Sequence, residues 1–86
     1  MTAEESKRIA EAIRRTLADR GPTKSICPSE VARRVDPAAW RERMRDVREV
    51  AFALADGGEI EITQGDRRIG GAEDVRGYIR LRLPLK

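Results

Sequence analysis

Eighty-six residues, 40 % hydrophobic and 38 % charged, describe one small globular domain spanning residues 1–86. A chain this short buries roughly 60–65 % of its unfolded surface, which leaves no length for a deep water-excluded pocket. It has no histidine and a single cysteine, Cys27. That excludes an internal disulfide, the usual Cys/His zinc sites, and Ser-His-Asp or Cys-His nucleophilic machinery. Carboxylate-only chemistry remains formally open, because Asp and Glu total 15. Most of these acids sit beside Arg or Lys at helical spacing, the pattern of a solvated charged face. The expectation is a non-enzyme with no cofactor and no metal. No apolar run approaches the roughly 18 residues of a membrane span, and the charged N-terminus lacks a secretory apolar region. A cytoplasmic location is therefore expected.

The net charge is +3 and the pI about 9.6, a small basic domain. The excess is unevenly spread. Residues 1–35 carry eight bases against five acids, residues 36–58 four against five, and residues 59–86 six against five. Any attraction for phosphate therefore resides at the two ends.

In chain order, Ile9, Ile13 and Leu17 recur every four residues and predict a helix over Glu4–Asp19. Thr2 is its candidate cap and Gly21-Pro22 its stop. Residues 23–26 are too short for more than a turn or a one-bridge strand near Ile26. Pro28 then suits the first position of a second helix, with Cys27 as its cap and Glu30 placed to reach back. Asp36-Pro37 predicts a third helix, with Asp36 as cap and Pro37 as first residue, running to about Ala55. Its expected core stripe is Trp40, Met44, Val47, Ala51 and Leu54. Glu59–Thr63 and Tyr78–Leu83 alternate polar and apolar residues, predicting two half-buried strands. Glu59 and Glu61 should share an outer face with Arg80 and Arg82. Residues 64–77 between them are expected to form a long glycine-containing wing. This order is that of an α+β winged helix-turn-helix: three helices and a C-terminal two-stranded hairpin.

Several runs taken together resemble a known family: Ile26-Cys27-Pro28-Ser29-Glu30-Val31-Ala32-Arg33, then Trp40, then Ile60-Glu61-Ile62-Thr63-Gln64-Gly65, then Gly77-Tyr78-Ile79-Arg80-Leu81-Arg82. They are similar to a small uncharacterised bacterial family, a domain of unknown function related to winged helices, over roughly residues 9–83. Members carry lysine and proline where this chain has Gly65 and Tyr78. The resemblance implies the fold and brings no activity with it.

A DNA-binding winged helix places its third helix in the major groove and its wing on the flanking backbone. Projected at about 100° per residue from the expected stripe, Arg41, Arg45, Arg48 and Phe52 lie on one flank. Glu42, Asp46 and Glu49 fall opposite the core, which argues against ordinary base readout. The arginine flank could reach phosphates or guanine edges. Equally, it could be a solvated face laced by Glu42–Arg45 and Arg45–Glu49 pairs. Arg67-Arg68 in the wing suits a narrow minor groove, with Arg76 near its base and Asp66, Glu73 and Asp74 diluting the charge. Arg33-Arg34 could touch phosphate or merely complement a helix C-terminus. Cys27 is expected to be a small residue in a cap, and Trp40 core. Double-stranded DNA is the leading partner. The alternative is a protein-interaction module that meets a protein partner or a second copy of the chain, and no membrane partner is expected.

Overall fold

Thr2 sets the first helix, α1 (Ala3–Arg20): its hydroxyl accepts the Glu5 N–H at 3.1 Å. Glu4 and Glu5 occupy the first turn, where the helix dipole favours acids. Ile9, Ile13 and Leu17 bury one face of α1, and Thr16 donates its hydroxyl to the Ala12 carbonyl at 2.7 Å. Gly21, at φ 98°, ends the helix in a backbone region that only glycine enters freely. The computed structural model describes residues 1–65, 67–69 and 77–84.

Strand β1 (Ser25–Ile26) follows, then helix α2 (Pro28–Val35). Cys27 caps α2 and Pro28 opens it, as the sequence predicts. The Glu30 carboxylate reaches back to accept the Cys27 N–H at 2.7 Å. Cys27 is half-buried, and Ser29 Oγ lies 3.0 Å from its sulfur.

Helix α3 (Trp40–Asp56) departs from expectation at its start. Asp36 does make the cap-type contact, its carboxylate accepting the Ala39 N–H at 3.1 Å. However, Asp36 also closes α2, donating its own N–H to the Ala32 carbonyl. Ala39, at φ −124° and ψ 36°, is not helical, so regular helix begins four residues after Asp36. The residue predicted as a helix start is thus the corner between two helices.

The C-terminal part forms a sheet from β2 (Glu61–Gln64), β3 (Arg67–Arg68) and β4 (Arg80–Arg82), joined by β1. All pairings are antiparallel, in the order β1-β4-β2-β3. The expected hairpin is the β2–β4 pair, with Ile62 opposite Leu81. Its strands are shorter than the alternation suggests, and Ile60 and Ile79 are buried just outside them. β3 falls within the expected wing. Arg67 and Arg68, expected in a loop, pair with Gln64 and Thr63 at the sheet edge. The rest of the expected wing, including Asp66, Glu73, Asp74 and Arg76, lies outside the described residues.

One core binds the three helices to this sheet. Ile13, Leu17, Val31, Val47, Ile62 and Leu81 are among its fully buried side chains. Among the described residues the architecture is α+β, with three helices and a four-stranded antiparallel sheet. Among the described residues, no helix is long and apolar enough to cross a membrane.

Candidate nucleic-acid interface

The core contact of α3 is rotated from the predicted stripe. Val47, Val50 and Ala51 are its buried residues, whereas Trp40, Met44 and Leu54 are only half-buried. Val50 draws the buried face toward the side that carries Arg43 and Asp46. Those two line a small cleft with Glu5, Arg8, Ile9, Val35 and Asp36. Of the three acids expected opposite the core, Glu42 and Glu49 are exposed and Asp46 is half-buried, so the outward face is mixed in charge and not uniformly acidic. Over residues 40–52 the exposed positions of α3 are Arg41, Glu42, Arg45 and Glu49, two bases and two acids.

Seven arginines were candidates, and the structure divides them. Arg34 is tied to α1, donating to Thr16 Oγ1 at 3.1 Å and to Asp19 at 3.0 Å. Arg48 donates to the Gly77 carbonyl, and its buried Nε has no hydrogen-bond partner among the described residues. It thereby joins α3 to the segment that leads into β4. Arg68 donates to Glu61 at 3.0 Å although its side chain is 71 % exposed. These three spend at least part of their donor capacity inside the fold. Arg33, Arg41, Arg45 and Arg67 are exposed. Among the described residues, none of the four side chains makes a hydrogen bond or ion pair. The Glu42–Arg45 and Arg45–Glu49 pairs expected from helical spacing do not form.

Arg33 and Arg41 are nonetheless held. Their guanidinium carbons lie over the Trp40 ring, 4.3 and 4.5 Å from its centroid. The ring's negative face attracts cations, so Trp40 fixes one arginine from the end of α2 and one from the start of α3. Trp40 is a half-buried platform at the core's edge, not the core residue expected. Nothing in the sequence spacing shows this, since the corner at Asp36 decides where the indole points.

The sheet sorts its arginines by pleat. Successive residues alternate faces, and registered partners share one. Gln64 and Arg67 therefore fall on the face of Ile62 and Leu81, toward the helices, while Arg68 falls with Thr63 and Glu61 on the outer face. There Glu61 accepts from both Arg68 and Arg82, the latter at 2.9 Å. Of the acids and arginines expected on this outer face, Glu61 and Arg82 pair across the strands. Glu59 instead pairs with Arg14 of α1 at 2.9 Å, and Arg80 donates to the Ser25 side chain and carbonyl at 3.0 Å.

Hydrogen bonds from Arg68 and Arg82 hold the Glu61 carboxyl below its ordinary range. The Arg14 hydrogen bond and charge do the same for Glu59. Asp36 is lowered by the Ala39 N–H and then by Arg43. All three carboxylates are thus committed to holding the fold. Among the described residues, no group of three or more Cys, Asp or Glu side chains is placed to hold a metal ion.

The chain belongs to the family described as "Protein of unknown function (DUF3253)", whose model matches residues 6–84. No curated protein matches it.

Proposed function

We propose that this chain is a winged-helix nucleic-acid-binding module that contacts double-stranded DNA mainly through its backbone. The element order supports the reading: three helices, a strand between the first two, and a C-terminal hairpin. The observation that carries it is the exposed edge formed by Arg33, Arg41 and Arg45, three guanidinium groups without an acid partner among the described residues. Arg67 adds a further free guanidinium on the sheet face turned toward the helices. Arg34, Arg48 and Arg68 are secondary contributors, since each is engaged within the fold. Because Glu42 and Glu49 alternate with Arg41 and Arg45, sequence-specific base readout is weak and phosphate contacts dominate. The lone unpaired cysteine suits work in the bacterial cytoplasm, where thiols stay reduced.

Titration of a labelled mixed-sequence duplex at about 50 and 150 mM salt tests this reading, because phosphate contacts release counterions and weaken steeply with salt. Binding at micromolar concentration or tighter is expected at the lower salt. An Arg45→Ala/Arg67→Ala variant should bind several-fold more weakly. Absence of binding at the lower salt contradicts the reading. The second reading, a protein-interaction module, is favoured by those same alternating charges on α3, which suit a partner of mixed charge. It predicts no duplex binding at either salt.

A further inference from the structure

Arg33 and Arg41 present an electrostatic problem that the fold leaves open. Both guanidinium carbons lie within 4.5 Å of one ring centroid, so two like charges are held about one Debye length apart or closer, roughly 8 Å at physiological salt. Neither has a carboxylate partner among the described residues. By contrast Arg14, Arg20, Arg34, Arg43, Arg68 and Arg82 each pair with an acid. Cation–π contact orients the two groups but leaves their charge and their in-plane N–H donors free. Such a pair is preorganised for an anion with several acceptor oxygens, because guanidinium N–H forks match phosphate geometry.

We propose that Arg33, Trp40 and Arg41 form a backbone-phosphate clamp at the α2–α3 corner. The clamp rests on the nucleic-acid reading above and names the point where the backbone is gripped. Trp40 is the platform: it carries no charge itself and sets the separation of the two arginines. Asp36 and Arg43, on the other side of the corner, fix the turn that brings Trp40 under Arg33. Arg45, one helical turn beyond Arg41, extends the same edge toward the next phosphate.

Trp40 is the sole tryptophan, so all tryptophan emission reports on the clamp. The full chain is titrated with a short labelled duplex, following Trp40 fluorescence and duplex anisotropy in parallel. The clamp predicts a fluorescence change with the same midpoint as the anisotropy rise. Arg33→Gln and Arg41→Gln should each weaken binding about three- to tenfold and reduce the salt slope by about one. Arg33→Lys and Arg41→Lys keep the charge and should retain most of that slope, which a loss of folding would not. Circular dichroism confirms that each variant is folded. Duplex binding with silent Trp40 emission and unchanged affinity in both Gln variants would overturn the clamp while leaving the nucleic-acid reading intact. No anisotropy change at about 50 mM salt would overturn both.

Discussion

Glu61 illustrates how a single side chain joins distant parts of this fold. It sits on β2, an inner strand of the sheet, with Arg82 opposite on β4 and Arg68 on the edge strand β3, and its side chain is 14 % exposed. Both arginines favour the charged carboxylate, so its folded pKa lies below the unfolded value of about 4.3. A depressed carboxylate pKa contributes stability that is fully present above the unfolded value and is lost as pH falls through the folded one. Glu59 and Asp36 add in the same direction. The melting temperature should therefore stay nearly flat from pH 7 to 5 and drop below about pH 4. Glu61→Gln should lower it at neutral pH and flatten the acid decline, which thermal melts across that range would measure. An equally steep decline in the variant would show that Glu61 does not carry it.

At the scale of elements, local pattern and local chemistry were legible wherever neighbours in sequence decide the outcome. The Thr2 cap, the Gly21 stop, the Cys27-Pro28 start and the alternation around Ile62 and Leu81 all depend on residues within a few positions. The rotation of α3 was not legible. A 4-3-4-3 stripe from Trp40 to Leu54 is a good local pattern, but which side of it the other helices press is a tertiary matter. They press the Val50 side, leaving Leu54 half-buried. A carboxylate at Val50 would be buried without a partner, a class of substitution that costs roughly 4 kcal/mol or more. Val50→Asp should thus abolish the cooperative thermal transition, while Leu54→Asp should retain it at a lower midpoint. Circular dichroism melts of the two variants decide the order. The opposite order would restore the stripe centred on Trp40.

For the whole molecule, the arginines are plain in the sequence, but which of them are already engaged is set by packing. Arg34 and Asp19, Arg68 and Glu61, and Arg48 and Gly77 meet through packing, and nothing in the local spacing marks these pairs. Once they are set aside, the free groups among the seven candidates are Arg33, Arg41 and Arg45 along one edge and Arg67 on the helix-facing side of the sheet, while Arg15 on the outer face of α1 is likewise exposed and unpaired among the described residues. That arrangement is the basis for a backbone-gripping surface. Amide NMR shifts of the isotopically labelled chain, followed while a short mixed-sequence duplex is added at low salt, test it most directly. Saturable shifts concentrated at residues 33, 40, 41, 45 and 67, and reversed by added salt, are expected. No shifts, or shifts confined to the outer face of α1 around Lys7 and Glu11, would contradict it.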